Sequence, residues 1–232
     1  MGAGAVGTAL GVALSRAGWP IHAVASRDVG RRERAQALIG ATRAFAEAQA
    51  LVEEVELVIV AIPDDAIEGF AAQVRMYSGQ AMVHTSGALG ADVLAPAMAA
   101  GTQVGTFHPL VAFADTERAV AALHGATIAI EADDQLADLL ARMAETIGGH
   151  PVRLAPGSKS AYHAAAVLAA GGFVAMAAGR FAGPVLWCSS LSARREVGEL
   201  YAPGLARFGL DPTRLLFARA PREADLAAVA VA

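Results

Sequence analysis

Cysteine occurs once in this 232-residue chain, at Cys188, which excludes an intramolecular disulfide framework and suits a reducing compartment, the cytoplasm. Lysine is equally scarce: Lys159 stands alone against seventeen arginines. Arginine and lysine are not interchangeable, so a chain that otherwise uses arginine has a reason to keep an ammonium there, unless Lys159 is simply a solvated turn residue. Charged residues make up only 17% and the net charge is −4, which gives no broad basic surface for nucleic acid or an anionic membrane. There is no H-E-x-x-H and no cysteine pair, so no metal site is expected. There is no G-x-x-x-x-G-K-[ST], so no phosphate-binding P-loop of that type. Ser86 sits in Thr-Ser-Gly-Ala rather than a G-x-S-x-G elbow, which argues against a hydrolase. Residues 2–14 are apolar but lack a preceding positive charge and a small-residue cleavage site, so they are not read as a signal peptide. Residues 161–179 carry no formal charge except at their flanks, yet they are rich in alanine and glycine and include Tyr162 and His163. A buried helix is expected there rather than a membrane span.

What is present is core material: 55% of the residues are hydrophobic. Short β-type runs at 20–25, 56–62, 81–84, 104–107 and 126–131 alternate with helical patterns such as 64–76, 90–100 and 134–147. That alternation predicts an α/β fold, a doubly wound and mostly parallel sheet with helices on both faces. Pro156-Gly157-Ser158 breaks the pattern, which divides the chain into a dinucleotide-binding domain at 1–155, the start of a helical domain at 156–180, and an atypical tail at 181–232. In the tail, strands are expected at 184–188 and 215–219 and helices at 193–208 and 223–232. The charge balance also changes, from −6 over residues 1–179 to +2 over 180–232.

Gly2-Ala3-Gly4-Ala5-Val6-Gly7 is a G-x-G-x-x-G motif, followed by an amphipathic helix at 6–17 and a strand. The first glycine permits a tight turn, the second lets a pyrophosphate approach the backbone, and the third lets helix and sheet pack closely. The helix start offers its unpaired N–H groups to the phosphates. About twenty residues on, an acidic side chain marks NAD and an arginine accommodates the 2′-phosphate of NADP. Here Ser26-Arg27 ends the second strand, with Arg31 and Arg32 behind it, and this favours NADP; Asp28 argues the other way, since a one-residue shift puts its carboxylate on the ribose. The fingerprint also calls for a strand before its first glycine, and only Met1 precedes Gly2. Losing four buried apolar residues costs about 6–12 kcal/mol, so truncation or marginal stability is expected.

Four further segments lie in order: Pro63-Asp64-Asp65 after the third strand, His84-Thr85-Ser86-Gly87-Ala88 after the fourth, Phe107-His108-Pro109-Leu110 after the fifth, and residues 159–166 opening the second domain. In that order they resemble the Rossmann-like proteins with a C-terminal domain of unknown function. Those are related to pyrroline-5-carboxylate reductases, deazaflavin-dependent NADP reductases and the 6-phosphogluconate/β-hydroxyacid dehydrogenases. The resemblance covers residues 2–178 and implies an NADP-dependent oxidoreductase acting on a small carbonyl or imine. It implies a cofactor held by Gly2, Gly4, Ala5, Val6, Gly7, Ser26 and Arg27 and bordered by Ile62 and Pro63, with the 84–88 loop near the nicotinamide. Val111 departs from the pattern, where a polar residue is expected after His-Pro-Leu.

Hydride transfer to a carbonyl or imine needs a proton donor beside the developing anion. Lys159 and His163 are four residues apart on one helix and so share a face. The resemblance gives Lys159 the general acid role, with His163 positioning substrate or lysine. Ser86 and the backbone at Gly87 are candidates to bond the substrate, and His108 lies after the fifth strand, where clefts form in such sheets. Against these stand plainer readings: His163 as a core histidine, His84 packed at a strand end, and Asp64-Asp65 capping the helix they precede. The alternatives to an enzyme are a non-catalytic NADP-binding module or a truncated, chimeric chain without activity. The last rests on the tail, where residues 183–188, 199–205, 209–212 and 214–220 resemble part of a RecA-like protein of mutagenic DNA repair, without its phosphate loop. No nucleic-acid or membrane partner is expected, and homodimers are expected of the intact relatives more than of this chain.

Overall fold

The computed structural model describes residues 1–98, 101–111, 113, 116–166, 183–190 and 211–220. The chain divides into two compact units, Met1–Ser160 and Ala161–Ala232.

The first unit is an α/β fold. Its elements run α1 (Ala5–Arg16), β1 (Ala23–Ala25), α2 (Val29–Ile39), β2 (Arg43–Phe45), α3 (Ala48–Val52), β3 (Leu57–Val60), α4 (Asp64–Gln73), β4 (Ala81–His84), a 3-10 turn (Ala91–Leu94) leading into α5 (Ala95–Met98), β5 (Gln103–Pro109), α6 (Thr116–Leu123), β6 (Thr127–Ala132), α7 (Asp134–Thr146) and β7 (His150–Arg153). Strands β3-β4-β5-β6-β7 form one sheet, parallel except for the antiparallel β5–β6 pair, and β1–β2 form a separate parallel pair. Residues 159–166 are helical again.

Two cores explain the layering. Val83, Phe107, Ile128 and Ile130 pack with Leu10, Leu14, Leu123 and Leu140 of α1, α6 and α7. On the opposite face Val58, Val60, Met82 and Val104 pack with Leu51, Ile67 and Leu94. Adjacent residues Met82 and Val83 belong to different cores, as the two-residue period of a strand requires. Helix α7 buries Leu136, Ala137, Leu140, Met143 and Ala144, the spacing of a single helical face.

Several expectations are corrected. The described part of the helix expected over 90–100 begins as a 3-10 turn at Ala91–Leu94 and runs on as an α-helix over Ala95–Met98, with Pro96 in its first turn, where a missing backbone N–H is tolerated. Strands β2 and β7 were not anticipated: each has only three or four residues and lies largely exposed, so neither carries an apolar run to read. The backbone position expected of a strand before the first glycine is held by Met1 and Gly2. The Met1 nitrogen donates to the Ile59 carbonyl (2.6 Å), Ala61 N–H donates to the Met1 carbonyl (2.8 Å), and Gly2 N–H donates to the Ala25 carbonyl (2.9 Å). These two residues therefore link β1 to β3 across the sheet.

In the second unit, β8 (Val185–Ser190) and β9 (Leu215–Ala220) form a parallel pair, matching the strands expected near 184–188 and 215–219. A 3-10 turn at Pro212–Arg214 leads into β9, with Thr213 N–H and Oγ1 both donating to Asp211 Oδ1. The helices expected at 193–208 and 223–232 lie outside the described residues.

Candidate nucleotide and catalytic site

The three motif glycines meet three different environments. Gly2 adopts φ +95°, and a Cβ there would lie 2.2 Å from the Ala61 carbonyl oxygen. A Cβ on Gly7 would lie 2.1 Å from the Gly2 carbonyl oxygen. A Cβ on Gly4 would meet nothing within 4 Å. The first and third glycines are thus demanded by the protein itself, whereas the second leaves open space in front of the backbone. Gly4 is also the N-cap of α1 and supplies no side chain to cap it, so the amides of the first turn face that space.

The space is a cavity of about 280 Å³ bounded by Ala3, Gly4, Ala5 and Thr8 on one side and by Arg31 and Arg34 of α2 on the other. Arg34 was missed by sequence reasoning, although its position one helical turn after Arg31 was the available signal. Ser26 and Arg27 do not line this cavity. The Ser26 carbonyl accepts from Arg32 Nη1 (2.6 Å), and Arg27 is exposed. Asp28, the residue that argued for NAD, caps α2: its Oδ1 accepts from Arg31 N–H (2.9 Å).

A second cluster lies on the sheet. Register pairs His84 of β4 with Thr106 of β5, and Thr106 with Glu131 of β6, so the three side chains stand in one row on one face. All three are buried, on the face that holds Met82 and Val104. Lys159 joins them at 1% exposure, its Nζ donating to Thr106 Oγ1 (3.0 Å). The same Oγ1 accepts the Glu131 backbone N–H (3.1 Å). Glu131 Oε1 accepts Gly157 N–H (3.1 Å), while Oε2 is buried without a hydrogen-bond partner among the described residues. Burial pushes the Lys159 ammonium down from its ordinary 10.5 to about 8, and the charges of Glu131 and Asp64 oppose that fall. Lys159 is thus not a solvated turn residue. Thr106 and Glu131 were not singled out from sequence; a carboxylate inside an otherwise apolar strand was the signal.

The remaining candidates sort themselves by hydrogen bonding. Ser86 Oγ donates to Asp64 Oδ2 (2.7 Å) and accepts from Ala88 N–H (3.2 Å) and Leu89 N–H (3.1 Å). Its one proton and both lone pairs are committed to the protein, so the hydroxyl shapes the 84–89 loop. His84 is fully buried. Its Nδ1 accepts from Ser86 N–H (3.2 Å), which leaves Nε2 to donate to the Gly90 carbonyl (2.9 Å). Burial lowers its basicity, only partly countered by the Gly90 bond. Asp64 and Asp65 lie in the first turn of α4 behind Pro63, and no side chain caps that helix by a hydrogen bond, which corrects the capping expectation. His108 lies within β5 opposite Ala129, not in a loop after it, because the β5–β6 ladder continues through Pro109. Ile62 and Pro63 connect β3 to α4, with a would-be Gly2 Cβ reaching 3.1 Å from Ile62. His163 belongs to the second unit. Among the described residues no cluster could hold a metal ion, and no helix is long and apolar enough to cross a membrane.

No curated protein matches the sequence. Protein TM1727 of Thermotoga maritima is 25% identical with a TM-score of 0.60, over 77% of this chain and 65% of that one. A candidate NADP oxidoreductase of Bacteroides fragilis is 24% identical with a TM-score of 0.59, over 77% of this chain and 68% of that one. A reductive aminase of Aspergillus terreus, solved with NADPH, is 20% identical with a TM-score of 0.59, over 77% and 64%. The chain therefore spans about two thirds of the length of these proteins. The fold is the Rossmann fold that nicotinamide-dependent oxidoreductases use. Neither family match extends beyond residue 181. Residues 1–109 match the model of a Rossmann-like domain and residues 126–181 that of a domain of unknown function (DUF2520), so the chain is similar to proteins that join those two parts in that order.

Proposed function

We propose that this chain binds NADP at the Gly2–Gly7 loop and serves an oxidoreductase reaction in which Lys159 gives a proton to a small carbonyl or imine. The observation that carries the reading is the contrast among the motif glycines: two exclude a Cβ on account of the protein's own backbone, and Gly4 excludes nothing until a phosphate is present. The first-turn amides of α1 then hold the pyrophosphate, and Arg31 with Arg34 supplies the cationic wall for a 2′-phosphate. Asp28 supports the phosphate over the hydroxyl, since one of its oxygens is already spent on the α2 cap.

When bound, the nicotinamide supplies the hydride. Lys159 supplies the proton: a buried ammonium titrating near 8 is charged at neutral pH yet parts with its proton more readily than a solvated lysine. Thr106 fixes the amine by accepting from it, and His84, held through both ring nitrogens, fixes the 84–90 segment beside it.

Thermal melting with NADPH and with NADH tests the binding. NADPH at a hundredfold excess over its Kd adds about 2.7 kcal/mol of stability, and NADH adds less. No shift with either nucleotide would overturn the reading. Oxidation of NADPH by small ketones or imines, lost in Lys159→Ala and falling above about pH 8 as the donor loses its proton, tests the chemistry. One observation favours a second reading, a nucleotide-binding module without turnover: the Ser86 hydroxyl is fully committed and Lys159 is 1% exposed. NADPH binding without turnover on such substrates would select it.

A further inference from the structure

Glu131 has no part in the chemistry above, yet it is a carboxylate at 6% exposure, buried near the end of β6 in a row with Thr106 and His84. Burying an ionised group uncompensated is expensive, so its contacts need a reason. One hydrogen bond of its side chain and one of its backbone N–H lead to Lys159. Its Oε1 accepts from Gly157 N–H, in the turn two residues before the lysine, where the backbone takes φ +75°. Its own N–H donates to Thr106 Oγ1, the atom that also accepts from Lys159 Nζ. Its Oε2 is buried with no hydrogen-bond partner among the described residues.

We propose that Glu131 is the positioning residue of Lys159: it pins the Gly157 turn from which the lysine is launched, and its charge holds the ammonium against the cost of burial. The inference rests on the proton-donor reading of Lys159 for its functional meaning, but the coupling itself is independent of any reaction. Among the described residues, the charges that shift Lys159 are those of Glu131 from β6 and Asp64 from the first turn of α4, and Lys159 in turn acts on His84 of β4. Glu131 is the stronger of the two carboxylates, and burial lowers the basicity of His84 against the opposing Gly90 bond. Removing the Glu131 charge therefore moves the lysine further than removing that of Asp64.

A chain with a single lysine offers a direct probe. Protein labelled with 13C at the lysine side chain gives one side-chain signal to follow against pH, with no substrate or nucleotide needed. In the wild type the midpoint is expected near 8. Glu131→Gln keeps an oxygen for Gly157 N–H and removes the charge; the midpoint should fall by about one pH unit. Asp64→Asn should lower it by less. An unchanged midpoint in Glu131→Gln, or a larger fall in Asp64→Asn, would overturn the proposal. Should Glu131→Gln fail to fold, Glu131→Asp keeps the charge but withdraws it by one methylene. The midpoint should then fall by a smaller amount and the Gly157 amide should exchange faster with solvent; neither change would overturn the coupling. If the coupling is present but Lys159→Ala retains full turnover, the proton-donor reading fails and the positioning role of Glu131 stands.

Discussion

The phosphate loop and the Lys159 cluster are built by opposite means. The loop is six consecutive residues and works with backbone alone: its specificity lies in which positions lack a side chain. The cluster gathers His84, Thr106, Glu131 and Lys159 from three strands and a following helix, over 75 residues of chain, and works through side-chain charge in a dry environment. A mutation in the first should act by collision or by blocking a ligand. A mutation in the second should act by leaving a buried polar group without its partner, which costs more.

That contrast can be broken by measurement. A large effect is expected from Lys159→Met, which removes the donor to Thr106 Oγ1 and the charge opposing Glu131: denaturant unfolding at neutral pH should show a loss of about 1–3 kcal/mol, part of the lost attraction being offset by release of the lysine's burial cost. Adding Glu131→Gln should recover most of it, and additive losses in the double variant would show that the two do not interact. Next comes pH. The folded lysine titrates near 8 and the unfolded one at its ordinary 10.5, so between those values the unfolded chain holds a proton that the folded one lacks. Stability should therefore climb as pH rises through that window, by about 3 kcal/mol relative to Lys159→Met, with the whole cost of burial present below pH 8. A wild-type curve parallel to that of the variant would refute the buried ammonium.

Smaller effects are expected in the loop. Gly7→Ala drives a Cβ onto the Gly2 carbonyl and should cost about 1–3 kcal/mol of stability. Gly4→Ala should leave the melting temperature of the free protein unchanged and abolish its rise with NADPH, since the Cβ occupies only the space left for phosphate. Equal destabilisation by the two substitutions would end the distinction between them. The smallest effect is that of Arg34→Ala, which should narrow the NADPH preference over NADH by about tenfold, or 1.4 kcal/mol, while leaving NADH affinity in place. Isothermal titration with both nucleotides measures it.

Legibility in the sequence follows the same line. Strand β4 was read to the residue because all four of its positions are buried and it ends in a turn-forming segment. The tight turn at Gly2 and the close packing at Gly7 were legible because glycine spacing records a backbone requirement directly. The hydrogen bond from Ser86 was not legible because nothing local announces that Asp64, 22 residues earlier, takes its proton. His108 was placed in a loop because the sequence does not show that β6 runs antiparallel beside β5 and extends the ladder to Pro109.

The sequence by itself determined the α/β alternation, the glycine-spaced turn at residues 2–7 and the singularity of Lys159, because each is written in neighbouring residues or in composition. Only the tertiary structure decided that this lysine is buried and that Thr106 and Glu131 face it. Those facts depend on strand register and on the folding back of residues more than fifty positions apart, and side-chain charges become decisive only once water is excluded around them.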